Sequence, residues 1–179
     1  MNLPNILTVG RVIAVPVFIA VFMLGYHGVS AVIFILAALT DMLDGMIARK
    51  YGLVTNFGKI MDPLADKILV VSAFVCLVET GDVAGWMVIV ILAREFTVTG
   101  LRTVAAAEGL VIAAGLTGKI KTVLQMIAIP ALLVSNWPFY YIGIPFAAIM
   151  LWAAVIMTVV SGVEYIIKNK QVFLKESET

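Results

Sequence analysis

The feature that most constrains this chain is a series of six apolar segments, each about as long as a lipid bilayer is thick. A membrane-spanning helix needs about 20 mostly apolar residues. The predicted segments are 7–24, 30–49, 60–78, 85–107, 119–136 and 142–167. Only 13% of the residues are charged and 63% are hydrophobic, whereas about a quarter of a typical soluble domain is charged. The sequence therefore predicts an all-α integral membrane protein, a bundle of six transmembrane helices.

The positive charges are distributed unevenly between the connections of these segments. Connections 25–29, 79–84 and 136–143 contain no Lys or Arg. The twelve cations lie nearer the opposite ends of the segments: Arg11, Arg49, Lys50, Lys59, Lys67, Arg94, Arg102, Lys119, Lys121, Lys168, Lys170 and Lys175. The positive-inside rule then places both termini and the loops near 50–59 and 108–118 in the cytoplasm, for a protein of the plasma membrane.

The rest of the chain predicts one domain over residues 1–179. It would begin with a short amphipathic stretch, residues 1–6, and end in a polar cytoplasmic tail, residues 168–179. Asn5, Thr8 and Arg11 recur at three-residue spacing, a polar stripe on an apolar helix. That stripe indicates either phosphate and headgroup contact or plain anchoring at the membrane interface.

Four aspartates interrupt the apolar pattern in the stretch TDMLDGMIARKYGLVTNFGKIMDPLADKI, residues 40–68. Asp41 and Asp44 are three residues apart, so a helix places both on one face. Asp62 and Asp66 are four residues apart and share a face in the same way. One pair ends the second segment and the other begins the third, so a short cytoplasmic turn should make these helices antiparallel neighbours.

The two aspartate pairs should converge just inside the cytoplasmic surface, where four carboxylates would repel one another. Divalent cations would relieve that repulsion, and all-oxygen ligands without His or Cys favour Mg²⁺, Mn²⁺ or Ca²⁺ over Zn²⁺. Two such ions balance four negative charges, and a two-metal site suits phosphoryl or phosphodiester displacement. Carboxylates within a membrane are costly and usually functional. The sequence therefore predicts a metal-dependent active site rather than a set of charge-paired helix ends.

A second set of cations lies on the fourth and fifth segments. Arg94 and Arg102 are eight residues apart, which gives nearly the same helix face about two turns apart. Arginine suits bidentate phosphate contacts, so the pair predicts an anion clamp, with an ion pair to Glu95 as the competing interpretation. Lys119 and Lys121 are two residues apart and cannot share a face. We expect one of them to face the site and the other to face lipid headgroups.

The aspartate stretch resembles the signature of the CDP-alcohol phosphotransferase family. Its fixed positions are all present, in the order Asp41, Asp44, Gly45, Ala48, Arg49, Gly58, Asp62 and Asp66. The segments NLPNILTVGRVIAVPVF, AREFTVTGLR and GKIKTVLQ extend the resemblance over most of the chain. These flanking segments are similar to those of bacterial members whose acceptor is glycerol 3-phosphate.

The resemblance implies six transmembrane helices, a homodimer surrounded by membrane lipids, and two divalent cations, Mg²⁺ or Mn²⁺. Asp41, Asp44 and Asp62 would ligate the cations, which hold the pyrophosphate of CDP-diacylglycerol. Asp66 would share in metal binding and act as the general base. The residues that would help to seat the CDP group are Gly45, Arg49 and Gly58.

The reaction that the resemblance implies is transfer of the phosphatidyl group from CDP-diacylglycerol to glycerol 3-phosphate. CMP would leave and phosphatidylglycerophosphate would form. The acceptor's phosphate would be bound by the second cationic set, Arg94, Arg102, Lys119 and Lys121. No nucleic-acid partner is expected.

Two alternatives stay open at the level of the sequence. The same chemistry could use another acceptor, such as inositol phosphate, serine or phosphatidylglycerol. A phosphate-bearing acceptor needs the second cationic set, whereas a neutral alcohol does not. A divalent-cation transporter would also place carboxylates in a membrane, but here the aspartates of the motif cluster at one membrane face and do not cross the bilayer.

Overall fold

A computed structural model describes residues 3–51, 56–107, 109–110, 112 and 115–169, with the backbone alone in 3–6, 41–51, 56–60, 62–63, 66 and 107. Within these residues the regular structure is helical, and no strand is present. The elements are α1 (Leu3–Met23), α2 (His27–Tyr51), α3 (Asn56–Glu79), α4 (Gly85–Ala107), α5 (Leu116–Leu133), a 3-10 helix (Phe139–Ile142) and α6 (Phe146–Lys168). The predicted all-α class is confirmed.

The predicted segments differ from the helices mainly in the region between α5 and α6. α5 ends at Leu133 rather than near residue 136, because Ser135 and Asn136 have left-handed φ values of 51° and 64°. Such values cannot continue a right-handed helix. α6 begins at Phe146 rather than near residue 142, because the preceding 3-10 helix ends at Gly143 with a φ of 67°. α4 spans the predicted segment without change.

The connection between α5 and α6 is closed by the side chain of Asn136. Its Nδ2 donates to the carbonyl oxygen of Ile144 at 2.7 Å, and the backbone N–H of Ala147 donates to its Oδ1 at 2.9 Å. The rings of Phe139 and Phe146 stack beside it, with centroids 4.2 Å apart. Asn136 therefore ties the end of one helix to the start of the next.

Several helices carry the apolar surface of a membrane protein. Among the described residues, α5 and α6 are each long and apolar enough to cross a bilayer, and the apolar stretches Leu7–Met23 and His27–Thr40 are shorter. Large apolar side chains are exposed on many helices, including Phe96 at 70%. Exposed apolar surface of this extent marks contact with lipid or protein. The six-span count, the cytoplasmic termini and the amphipathic start remain predictions.

The chain divides into two compact units, which are described separately. The first comprises Met1–Val83 and Ile129–Ala147, and the second comprises Ala84–Ala128 and Ala148–Thr179. The boundary near residue 128 falls within α5, so both units contain part of that helix. A single domain over residues 1–179 remains a prediction.

The core of the first unit is built where α1 packs against both α2 and α3. Phe18 of α1 and Phe34 of α2 are fully buried, with ring centroids 6.3 Å apart. Leu69 and Phe74 of α3 are buried as completely. Between membrane helices such contacts stabilise a fold through van der Waals packing, because lipid tails are as apolar as these side chains. This core fixes α2 and α3, which carry the aspartates, against α1.

In the second unit α4 and α6 lie side by side. Val98 and Leu101 of α4 form a buried cluster with Tyr165 of α6. Trp86 and Trp152, near the starts of the two helices, have ring centroids 5.8 Å apart. Contacts therefore follow the same order along both helices, so α4 and α6 run in the same direction. This pairing positions the cations of α4 against the polar residues of α6.

Candidate active site

The four aspartates of the motif lie on two consecutive helices of the first unit. Asp41 and Asp44 belong to the last turns of α2, and Asp62 and Asp66 belong to the first turns of α3. At 3.6 residues per turn, Asp44 and Asp62 are each about two turns from the α2–α3 connection. Asp41 and Asp66 are each about three turns from it. The backbone therefore sets the two pairs at matching distances from the turn.

The side chains of these aspartates lie outside the described residues, as does that of Arg49; Gly45 and Gly58 fall in the same stretches. Among the described side chains, no group of three His, Cys, Asp or Glu could hold a metal ion. The metal site thus remains a prediction. The donors that the motif offers are carboxylate oxygens alone, and such a set fits Mg²⁺ or Mn²⁺.

An apolar groove between α1 and α2 leads toward the motif. It has a volume of about 420 Å³ and is lined mostly by apolar residues of both helices, with Arg11 and Thr40 as its polar members. Thr40 directly precedes Asp41, and its Oγ1 donates to the carbonyl oxygen of Leu36 at 2.7 Å. Arg11 is 2% exposed and Thr8 is 1% exposed, so these two members of the polar stripe of α1 are buried, and the side chain of Asn5 lies outside the described residues.

A second pocket lies in the second unit and contains both arginines of α4. Its volume is about 330 Å³. Its lining residues are Arg94, Arg102, Ile112, Gly115, Thr117, Gly118, Ser161, Glu164, Tyr165, Lys168 and Asn169. Arg94 and Arg102 were predicted to lie on nearly the same face of α4, and in the structure both line this one pocket.

Arg94 is fixed within this pocket by two hydrogen bonds. Its Nε donates to Oγ of Ser161 at 3.2 Å, and its Nη1 donates to Oε1 of Glu95 at 3.1 Å. The side chain is 13% exposed. Its Nη2 makes no hydrogen bond with any described residue. The sequence left an ion pair with Glu95 and a place in an anion clamp as competing interpretations of Arg94. In the structure Arg94 forms the ion pair and also lines the pocket.

Arg102 is held through one nitrogen only. Its Nε donates to the hydroxyl oxygen of Tyr165 at 3.2 Å, and its guanidinium carbon lies 5.5 Å from the centroid of that ring. Neither Nη of Arg102 bonds to a described residue. Two parallel N–H groups of this kind match the oxygens of a phosphate. The pocket therefore offers donors suited to a phosphate group.

The two lysines of α5 take different positions. Lys121 is 3% exposed and forms an ion pair with Oε1 of Glu95, the same oxygen that accepts from Arg94. Lys119 is exposed. Neither lysine is among the described residues that line the arginine pocket. One lysine thus faces inward and the other outward, as their two-residue spacing requires.

Sequence reasoning missed the residues of α6 that hold the arginines. Ser161 accepts from Arg94 and Tyr165 accepts from Arg102. Together with Thr158, whose Oγ1 donates to the carbonyl oxygen of Ala154, they recur every three or four residues on an otherwise apolar helix, the spacing of one helix face. All three are buried. A buried polar group needs a hydrogen-bond partner, so a polar stripe on an apolar helix predicts a polar neighbour. That stripe was the signal available in the sequence.

The described helices thus carry spaced aspartates on α2 and α3 and, in the second unit, a pocket that contains two arginines. Residues 1–160 match the CDP-alcohol phosphatidyltransferase family, and the chain belongs to that family. The predicted family is thereby confirmed, and the chain is a transferase. Membership in a transferase family favours an enzyme over a cation transporter.

Three relatives of this chain are named as phosphatidyltransferases or phosphatidylglycerophosphate synthases. A CDP-diacylglycerol–glycerol-3-phosphate 3-phosphatidyltransferase of Bacillus subtilis is 48% identical, covering 94% of this chain and 95% of the relative. The protein of the same name from Rickettsia bellii is 40% identical, covering 96% and 97%. A probable phosphatidylglycerophosphate synthase of Mycobacterium tuberculosis is 39% identical, covering 92% of this chain and 80% of the relative.

Proposed function

We propose that this chain transfers the phosphatidyl group of CDP-diacylglycerol to glycerol 3-phosphate, which releases CMP and forms phosphatidylglycerophosphate. The observation that carries the proposal is the pocket of Arg94 and Arg102, in which Nη2 of Arg94 and both Nη atoms of Arg102 bond to no described residue and suit a phosphate on the acceptor. The relatives that share most of this chain's length are named for the same donor and acceptor.

The donor half of the reaction belongs to the motif on α2 and α3. Asp41, Asp44, Asp62 and Asp66 would hold two divalent cations, Mg²⁺ or Mn²⁺, and the backbone placement of both pairs near the α2–α3 connection supports this assignment. When bound, the cations would neutralise the diphosphate and the CMP leaving group.

Three further residues and the apolar groove would complete the binding site for CDP-diacylglycerol. Gly45 and Gly58 would admit the CDP group close to the backbone, and Arg49 would contact its phosphates. The groove between α1 and α2 would accept part of the diacylglycerol, because its lining is mostly apolar and includes Thr40, the residue that precedes Asp41 in the chain.

The chemical step forms one bond to phosphorus and breaks another. The primary hydroxyl of glycerol 3-phosphate attacks the β-phosphorus, and the bond from that phosphorus to the bridging oxygen of CMP breaks. Asp66 accepts the hydroxyl proton as the new bond forms. A carboxylate can do this because it needs to take the proton only when the attacking oxygen has become acidic in the transition state.

The acceptor half of the reaction belongs to the second unit. Arg94 and Arg102 would bind the phosphate of glycerol 3-phosphate through the Nη atoms that bond to none of the described residues. Lys121 would support this clamp through Glu95, whose Oε1 it shares with Arg94. Lys119, exposed on α5, would contact lipid headgroups.

We further propose that the chain crosses the plasma membrane six times as a homodimer, with both termini and the active site on the cytoplasmic side. The cation-free connections support this orientation. A lipid donor and a water-soluble acceptor can meet only at the membrane surface, and the motif sits near the cytoplasmic turn of α2 and α3.

A CMP-release assay tests the proposed function. Purified protein in lipid micelles, supplied with CDP-diacylglycerol, glycerol 3-phosphate and Mg²⁺ or Mn²⁺, is expected to release CMP and to form a phospholipid with a second phosphate. Chelation of the metal by EDTA should stop the release, and added Mg²⁺ or Mn²⁺ should restore it. A folded, lipid-supplied preparation that releases no CMP would overturn the proposal.

A further inference from the structure

The side chain of Arg94 lies in a slot between two glycines from different helices. A Cβ added at Gly162 of α6 would lie 3.0 Å from Cγ of Arg94. A Cβ added at Gly118 of α5 would lie 3.1 Å from Nη2 of the same arginine. Optimal contacts between carbon atoms are about 3.5–4.0 Å. Any larger residue at either position therefore requires Arg94 to move.

The backbone does not by itself call for glycine at these two positions. Both lie within helices, and neither has the left-handed φ found at Gly25, Gly81 or Gly143. Glycine inside a helix is less favourable than alanine by about 1 kcal/mol. Gly162 thus weakens the interior of α6, whereas Gly118 lies in the first turn of α5. The contacts with Arg94 give a steric reason for glycine at both positions.

The two glycines act on different parts of the arginine. Gly162 borders Cγ in the aliphatic part of the Arg94 side chain. Because the guanidinium lies beyond Cγ, a rotation of the side chain at Cγ displaces the guanidinium more than it displaces Cγ. Gly118 borders Nη2, the end of the side chain. Ser161, the neighbour of Gly162, holds Nε at 3.2 Å. Adjacent residues of α6 therefore provide both the hydrogen bond and the space that set the guanidinium.

We propose that Gly162 and Gly118 are positioning residues that fix Arg94 for the phosphate of the acceptor. This inference rests on the proposed function, because it takes the acceptor to carry a phosphate. Both glycines act through the arginine; Gly118 also lines the pocket, whereas Gly162 is not among its lining residues. They confine the arginine so that Nη2, which no described residue bonds, stays available in the pocket.

Alanine substitution with a matched control tests this inference. Gly162→Ala is expected to raise the KM for glycerol 3-phosphate about tenfold, the effect of losing one charge-assisted hydrogen bond. The KM for CDP-diacylglycerol should stay within about twofold of the wild type, because only the acceptor clamp moves. Gly100→Ala on α4 is the control, since a Cβ there meets nothing within 4 Å. Equal acceptor KM values for Gly162→Ala and Gly100→Ala would overturn the inference.

A double-mutant cycle separates positioning of Arg94 from a general structural effect. If Gly162 acts through Arg94, then Gly162→Ala should add no further increase in acceptor KM once Arg94→Ala is present. Independent, multiplying effects of the two substitutions would contradict the inference. Should Gly162→Ala fail to fold, Gly118→Ala tests the same guanidinium from α5, with the same expected rise and the same contradicting result.

Thermal unfolding with glycerol 3-phosphate gives a readout that does not depend on turnover. The ligand should raise the midpoint of the wild type and of Gly100→Ala, and should raise that of Gly162→Ala less at the same concentration. A wild type that is stabilised but releases no CMP would contradict the proposed function and leave the inference standing. An active wild type whose stabilisation matches that of Gly162→Ala would contradict the inference alone.

Discussion

Asp66 is the residue on which the proposed chemistry depends most, because it would take the proton from the acceptor hydroxyl. Asp66→Asn removes the basic carboxylate with little change in size. We expect the rate of CMP release to fall by about 10²–10⁴-fold, the usual contribution of a general base. Asp82→Asn is the control, since Asp82 is exposed in the α3–α4 connection. Near wild-type turnover in Asp66→Asn would remove Asp66 from this role.

A substitution of Tyr165 tests whether the hydrogen bond to Arg102 contributes to binding of the acceptor. Tyr165→Phe removes the hydroxyl that accepts from Nε and keeps the ring beside the guanidinium. We expect the KM for glycerol 3-phosphate to rise by about three- to tenfold, since a hydrogen bond of this kind contributes on the order of 1 kcal/mol. Tyr140→Phe, in the exposed α5–α6 connection, serves as the control. An unchanged acceptor KM in Tyr165→Phe would show that Arg102 needs no such support.

Only part of the acceptor pocket could be predicted from the sequence. The shared face of Arg94 and Arg102 followed from their spacing, which a helix preserves whatever surrounds it. The spacing of Lys119 and Lys121 showed that one faces inward, but not which. Burial of Lys121 beside Glu95 settles that choice, and it depends on how α4 and α5 pack. The hydrogen bond from Arg94 to Ser161 joins two helices that are far apart in the sequence. The spacing of residues within one helix does not predict such a contact.

At the scale of elements, the α5–α6 connection gives a sharp test of backbone strain. Asn136 has a φ of 64° and makes two side-chain hydrogen bonds across the connection. Asn136→Gly should lose both bonds, at a cost of about 1–3 kcal/mol of stability, and should keep an unstrained backbone because glycine adopts left-handed φ values readily. Asn136→Ala should lose the bonds and add about 1–2 kcal/mol of left-handed strain.

Thermal unfolding in detergent measures the two variants of Asn136. The midpoint should fall in the order wild type, Asn136→Gly, Asn136→Ala. Equal midpoints for the glycine and alanine variants would show that the left-handed backbone costs nothing there. A glycine variant as stable as the wild type would instead show that the two hydrogen bonds contribute nothing.

Helix ends were predicted best where the sequence itself marks them. α4 begins at Gly85, directly after a polar connection, and its predicted and observed bounds agree. α5 was predicted to run past Leu133 because apolar residues continue there, but the chain turns left-handed at Ser135. Composition alone does not reveal such a turn, since neither residue of the turn is a glycine.

At the scale of the whole molecule, the class of fold followed from composition and from the length of the apolar segments. The all-helical architecture agrees with that prediction, and α5 and α6 have the length and apolarity of membrane spans. The orientation in the membrane is predicted from the placement of Lys and Arg.

Cysteine labelling tests the predicted orientation. The one native cysteine, Cys76, is buried and would be replaced by alanine to give a silent background. Tyr140→Cys in the α5–α6 connection is expected to react with an impermeant maleimide on intact cells, and Thr55→Cys only after the cells are opened. The reverse pattern of labelling would place the motif on the outer side of the membrane and contradict the predicted topology.

We propose that the arginine pocket selects a phosphate-bearing acceptor. Competition among acceptors in one reaction tests this selectivity. CDP-diacylglycerol and Mg²⁺ are supplied with equal concentrations of glycerol 3-phosphate, inositol phosphate, serine and phosphatidylglycerol, and the lipid products are separated and weighed by mass spectrometry. We predict phosphatidylglycerophosphate as the main product, formed in the same amount as CMP. A main product built on serine would contradict selection of a phosphate-bearing acceptor, and one built on inositol phosphate or phosphatidylglycerol would contradict glycerol 3-phosphate as the acceptor. CMP release without a matching lipid product would contradict the transfer itself.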